Sequence, residues 1–264
     1  MTAQAGAAGG HGEGAMEFRK AEGVGYYRFL TELHRTHLFD WYMEIGCRLG
    51  RSFAPVRGPT IAVDPFFRIE TNVIETKPEL HIFQRTADDF FATGFLDRLG
   101  VRLSLSFLDG MHLFEYLLRD FLNTERRSRP DGVIALHDCC PFSHGMTTRD
   151  LENLPEGAWT GDVWKLIPIL RDYRPDLTLT VLDCGPTGLV LVSGLAPDNV
   201  VLRDRYDEIV ARFSDVSLEQ YGLGAFYDLF DFVDARGFMD DGWPLFAHLR
   251  QDESLAQAPK WITP

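Results

Sequence analysis

Five acidic residues recur at one kind of place in the chain, at or just beyond the end of a short apolar run. Glu44 lies at the end of Trp41–Ile45, Asp64 follows Thr60–Val63, and Asp88 comes soon after Leu80–Phe83; Asp109 follows Leu103–Leu108, and Asp138, preceded by His137, follows Val133–Leu136. Carboxylates brought to one place can grip hydroxyl groups, hold a divalent cation or move a proton. Beyond Glu44 comes the turn Gly46-Cys47-Arg48-Leu49-Gly50, followed by Arg51-Ser52, and glycine lets main chain approach a ligand without a Cβ clash. The step of twenty residues from Glu44 to Asp64 is the distance at which nucleotide-binding folds place an acid on ribose hydroxyls. Each piece also has a plain structural reading: Asp109-Gly110 can make a turn, Asp88 and Asp138 can cap the segments they open, and His112 can sit neutral at a helix start. Five such acids in succession favour a site.

Acids in this rhythm need a parallel sheet to carry them, because the C-terminal ends of parallel strands share one edge. The five apolar runs read as its strands. Tyr26, Phe29, Leu30, Leu33 and Leu38 recur at helical spacing ahead of the first. After the Gly46 turn a short helix is expected, cut off at Pro55. Thr86 is placed to N-cap a helix with Asp88 and Asp89 in its first turn. Leu113, Tyr116, Leu117 and Phe121 mark a helix to about Arg127, and Pro130-Asp131-Gly132 reads as a turn before the fifth strand. The stretch Cys139–Trp159 is long for a loop in a compact domain, and such loops are functional or disordered. Thr160 or Asp162 then caps a helix bearing Val163, Leu166, Ile167 and Leu170. Leu177–Leu182 and Leu189–Ser193 flank Asp183–Gly188 as a hairpin closing the sheet with an antiparallel edge. Helical patterns follow over Tyr206–Phe213 and Ala225–Val233, where Phe226, Tyr227, Phe230 and Phe232 read as packing residues.

The 264 residues, 45% of them hydrophobic, are enough for one large core. A net charge of -13 and a pI near 5.0 argue against nucleic acid or an anionic membrane surface as partner. Cys47, Cys139, Cys140 and Cys184 form no C-x-x-C pair, which suits a reducing cytoplasm. Cys139, Cys140 and His144 with His137 lack regular zinc-ligand spacing. No segment reads as membrane-spanning or as a signal peptide. The expected division is a Gly/Ala-rich disordered tail over 1–15, a main domain over 16–199 and a helical extension over 200–264, packed on that domain or on a second subunit of a homo-oligomer.

From Trp41 to Gly194 the chain resembles the class I S-adenosylmethionine-dependent methyltransferases, and within them a metal-assisted group similar to macrocin-type sugar O-methyltransferases and cephalosporin-type methyltransferases. The resemblance rests on EIGCRLGRS, AVDP, TADDF, FLDGMH and GVIALHD. It implies a Rossmann-like α/β fold: a seven-stranded, mostly parallel sheet with an antiparallel last strand and helices on both faces. It further implies that Glu44, Gly46, Gly50 and Ser52 lie around the methionine part of the cofactor, with Asp109 beside it. Asp64 would accept the ribose hydroxyls and Asp88 would contact the adenine. Asp109, His137 and Asp138 would bind a divalent metal, Mg²⁺, Mn²⁺ or similar, while His112, beside the acceptor, would act as general base with Asp109 as its catalytic companion. A helix start and a nearby cation should disfavour protonation of His112.

Two departures stand out. Arg48 occupies a position where many relatives have a small residue, and His137-Asp138 stands where metal-dependent relatives have two carboxylates. An imidazole with two carboxylates suits Mn²⁺, Fe²⁺ or Zn²⁺ better than Mg²⁺, unless His137 lies outside the coordination sphere. Trp159, Thr160, Asp162 and Trp164 either line the acceptor pocket or anchor the helix. The expected activity is methyl transfer to a hydroxyl of a small molecule, such as a sugar, a glycosylated metabolite or another diol. The alternatives are metal-independent N- or C-methylation and a binding protein that keeps the fold without chemistry.

Overall fold

A computed structural model describes residues 16–249. The expected tail, 1–15, and the end of the expected extension, 250–264, lie outside the described residues. Seven strands, β1 Tyr42–Ile45, β2 Thr60–Val63, β3 Leu80–Phe83, β4 Leu103–Leu108, β5 Ser128–His137, β6 Thr178–Leu182 and β7 Leu189–Ser193, form one sheet in the order β3-β2-β1-β4-β5-β7-β6. β1 to β5 are parallel, and β7 is antiparallel to both of its neighbours.

Alternate side chains leave a strand on opposite faces, so the apolar runs feed two cores. Met43, Ile45, Ile61, Val63, Ile134 and Leu136 enter one; Tyr42, Ala62, Leu105, Phe107, Val133 and Ala135 enter the other. α1, Tyr26–Thr36, covers the second core with Phe29, Leu30 and Leu33. The first is covered by α2 Ala87–Ala92, α3 Phe95–Leu99, α4 Phe114–Glu125 and α5 Leu166–Tyr173. Of the C-terminal helices, α6 Val201–Asp204, α7 Tyr206–Phe213, α8 Leu218–Tyr221 and α9 Leu223–Tyr227 pack into the first core, with Phe226 and Tyr227 buried there. α10, Ala235–Asp240, joins the second core, where Trp243 lies 5.0 Å from Phe29, ring centre to ring centre. No helix among the described residues is long and apolar enough to cross a membrane.

The structure corrects three local expectations. No helix follows Gly46: Arg48 at φ +30° and Gly50 at φ +79° put left-handed residues into the segment, which runs as turns. Pro130-Asp131-Gly132 is not a turn but lies inside β5, where the register against β4 shifts. Glycine suits the position, because a Cβ on Gly132 would lie close to the carbonyls of Leu103 and Arg129 at 3.0 and 3.1 Å. As expected, the β6–β7 pair closes the sheet as its antiparallel edge. β7, buried almost throughout, sits between β5 and the partly exposed β6, which forms the edge. The helix expected over Ala225–Val233 ends at Tyr227, because the main chain of Val233 is drawn onto β6, donating to Val181 and accepting from Asp183.

Candidate active site

β4 and β5 are neighbours with Leu108 opposite Leu136, so Asp109 and the pair His137-Asp138 emerge side by side at the C-terminal edge. One donor atom from each of Asp109, His137 and Asp138 lies within 4.8 Å of the others, the one such group of three among the described residues. His137 Nδ1 is 3.1 Å from Asp109 Oδ1 and 3.4 Å from Asp138 Oδ1. Burial disfavours a charged imidazole, yet Asp138 and Asp109 outweigh it and hold the His137 pKa well above its ordinary value. Burial likewise pushes the Asp109 pKa upward, but His137 and His112 win and bring it down to about 2. A single positive charge is therefore favourable among these acids. Two carboxylate oxygens and an imidazole nitrogen at this spread fit a divalent ion such as Mn²⁺ or Fe²⁺.

His112 completes the cluster, its Nε2 3.5 Å from Asp109 Oδ1 and 3.4 Å from Asp138 Oδ2. Its Nδ1 donates to the Trp159 carbonyl at 2.8 Å. A carbonyl can only accept, so a neutral His112 carries its proton on Nδ1 and leaves Nε2 bare toward the acids. The segment Trp159–Asp162 holds this arrangement. The Trp159 ring lies 5.0 Å from the imidazole, Asp162 N–H donates to the His112 carbonyl, and a Cβ on Gly161 would overlap that carbonyl. Asp162 does not cap the helix that follows it. Its carboxylate accepts the Phe114 N–H at 2.9 Å, capping α4, and pairs with Lys165 and Arg149. Thr160 bonds the Met146 carbonyl, and Trp164 is buried in the core.

Burial and the neighbouring carboxylates act on His112 in opposite directions. Burial lowers its pKa, but Asp109 and Asp138 outweigh burial and raise it. α4 begins only at Phe114, so its dipole is weaker at His112 than the two adjacent carboxylates. A cation bound to those carboxylates would cancel their pull.

The residues expected around the cofactor divide into two roles. Asp64, just past β2, accepts the Arg48 N–H on Oδ2 at 2.9 Å and the Phe66 N–H on Oδ1 at 2.6 Å. Each oxygen keeps an acceptor site, so the carboxylate is held by main chain yet able to take two hydroxyl donors. Glu44 is fully buried, with one oxygen accepting from Ser52 and the other from Tyr42. Burial raises its pKa to about 7. Glu44 and Ser52 thus brace the turn between them. Gly46, at φ +89°, is required by packing, since a Cβ there would overlap the Asp109 carbonyl; at Gly50 it would meet Val73 at 2.6 Å. Asp88 stands apart from this cluster. Thr86 caps α2, as expected, by accepting the Asp89 N–H, and the Asp88 carboxylate is bound through both oxygens to Arg119 of α4.

Cys139, Cys140 and His144 form no metal-ligand group with His137. Two residues at the site carried no signal in the sequence. Tyr26, the first residue of α1, packs its ring at a tilt against His137 with ring centres 3.9 Å apart. Thr187, in the β6–β7 turn, donates to Asp138 Oδ1 at 2.6 Å. A tyrosine at a helix start and a threonine in a hairpin are ordinary, and only tertiary contact distinguishes them.

No family model matches the chain, and no curated protein matches it. Among solved structures it is similar to the O-methyltransferase TomG from Streptomyces achromogenes, involved in tomaymycin synthesis and bound to SAM: 20% identity, 65% of this chain and 80% of that one, TM-score 0.46. An O-methyltransferase from Bacillus cereus in complex with SAH is similar at 16% identity, over 63% of this chain and 79% of that one, TM-score 0.43. The methyltransferase MycE of the mycinamycin biosynthetic pathway, bound to Mg, SAH and mycinamycin VI, is similar at 15% identity over 66% of this chain and 49% of that one, TM-score 0.41. Each resemblance is distant, and the chemistry of this chain stands on its own site.

Proposed function

We propose that this chain is an S-adenosylmethionine-dependent O-methyltransferase, assisted by a divalent cation, acting on a hydroxyl of a small molecule such as a sugar, a glycosylated metabolite or another diol. The observation that carries the reading is His112 Nε2 facing the cluster of Asp109, His137 and Asp138 while Nδ1 is committed to the Trp159 carbonyl. When bound, the cofactor supplies a methyl group whose bonding electrons stay with sulfur as it passes to the acceptor oxygen, and the cation supplies the charge that lowers the acceptor's pKa.

The chain's residues do the rest. Asp64 would hold the ribose hydroxyls, and Glu44 and Ser52 keep the Gly46–Gly50 turn in shape beside them. Asp109, His137 and Asp138 would hold the cation, and His112 Nε2 takes the acceptor's proton. Base and cation together favour oxygen as the acceptor atom, because a hydroxyl must lose its proton to become a good nucleophile, whereas a neutral amine already has a free lone pair. The chain's net charge of -13 disfavours a nucleic-acid acceptor.

Native mass spectrometry of the purified protein tests the reading. Carried-over S-adenosylmethionine or S-adenosylhomocysteine, or adducts formed on adding them, are expected; the absence of any adduct on addition contradicts it.

A further inference from the structure

We infer that Thr187 is a positioning residue of this site, whose hydroxyl sets which oxygen of Asp138 faces a bound cation. The inference rests on the reading of Asp109, His137 and Asp138 as a divalent-cation site.

Thr187 belongs to the turn between β6 and β7, and only 1% of its surface is exposed. Leu189 of β7 pairs with His137 of β5, which brings the residues just ahead of β7 against the end of β5. The two segments are pressed together. Cys140 N–H donates to the Thr187 carbonyl at 2.9 Å, and a Cβ on Gly188, at φ +73°, would meet Cys140 Sγ at 2.7 Å. Thr187 is therefore held against the end of β5.

A hydroxyl has one proton. That of Thr187 goes to Asp138 Oδ1 at 2.6 Å, which leaves Asp138 Oδ2 on the side of His112 Nε2, 3.4 Å away. Toward His137 Nε2, 3.5 Å distant, the same hydroxyl oxygen can then only accept. His137 Nδ1 lies 3.1 Å from Asp109 Oδ1, an oxygen that can only accept, so Nδ1 donates to that carboxylate, and a cation bound there would take the place of that proton. Ligand atoms of Asp109, His137 and Asp138 lie within 4.8 Å of one another around this point. Asp138 holds this pose at φ +59°, a left-handed conformation that costs a non-glycine residue energy and must be held by its surroundings. The Thr187 bond is one of the contacts that does so.

Mn²⁺ titration of the purified full chain without cofactor, followed by the electron paramagnetic resonance signal of free Mn²⁺, tests the inference. Thr187→Val keeps the shape and removes the hydroxyl, and should weaken Mn²⁺ binding about 10- to 100-fold, the usual effect of losing a partner behind a metal ligand. Thr187→Ser keeps the hydroxyl and should stay within about threefold of the parent. Melting curves establish that both variants are folded; should the valine variant fail to fold, Thr187→Ala replaces it. A folded hydroxyl-free variant that binds like the parent, or a serine variant as weak as valine, overturns the role of Thr187 and leaves the cation site standing. A parent protein that binds no Mn²⁺ overturns the cation site itself, and this inference with it.

Discussion

His112 Nδ1 donates to the main-chain carbonyl of Trp159 at 2.8 Å, and this bond, across 47 residues of sequence, leaves His112 with one basic nitrogen, the one turned toward Asp109 and Asp138. A positioned base contributes about 10²- to 10⁴-fold, so His112→Ala should lower kcat by about that factor with cofactor affinity nearly unchanged. Single-turnover rates with an identified acceptor check this. A variant within about threefold of the parent would remove His112 from that role.

Exhaustive chelation should abolish or greatly reduce turnover. Because the cluster offers an imidazole beside two carboxylates, Mn²⁺ should restore activity better than Mg²⁺. Full activity in chelated protein shown metal-free by elemental analysis would mean that the acids act without an ion.

Gly46 joins the turn expected at the cofactor to the proposed cation site, because its missing Cβ makes room for the Asp109 carbonyl. Gly46→Ala should destabilise the fold by about 1–3 kcal/mol through its left-handed backbone alone, and more through that overlap. Mn²⁺ affinity should fall with it as Asp109 shifts. Denaturant melts and Mn²⁺ titration are the readouts, and parent-like values in both would show that the turn tolerates a side chain.

His34 is buried between Phe39 and Tyr42, and neither ring nitrogen has a hydrogen-bond partner among the described residues. Burial, followed by Lys77 and Arg57, lowers its pKa from 6.5 to about 3. The unfolded chain then binds a proton that the folded one refuses, so the stability His34 leaves intact above pH 6.5 is lost as pH falls toward 3. Glu44, raised from 4.5 to about 7, acts in the opposite sense: its contribution is fully present below pH 4.5 and lost as pH rises through 7. Comparing His34→Leu with the parent isolates the histidine. The stability difference should move in favour of the variant by about 2–3 kcal/mol from about pH 7 to about pH 4.5. Denaturation at the two pH values measures this, and a gap that stays constant would mean that His34 takes up its proton while folded.

The strands that carry the acids were legible because each is a short apolar run stopped by a polar residue, a pattern that survives without tertiary context. Asp109, His137 and Asp138 were legible for the same reason, being strand-end residues on neighbouring strands. Helix boundaries were less so: Arg48 adopts φ +30° and Pro130 lies inside a strand because neighbouring segments impose it, which no local propensity announces. The partners of Glu44, Asp162 and Asp138 were hidden for a related reason. A carboxylate's type says that it wants donors, but Ser52, Phe114 and Thr187 become those donors only once the chain has closed on itself.

The central claim, that this edge of the sheet binds S-adenosylmethionine, is tested most directly by titration calorimetry of S-adenosylhomocysteine into the parent and Asp64→Ala. The account predicts stoichiometric binding to the parent and a loss of about 1.5–3 kcal/mol in the variant, the value of charge-assisted hydrogen bonds to the ribose. Absence of binding to the parent, or equal binding to both proteins, would contradict it.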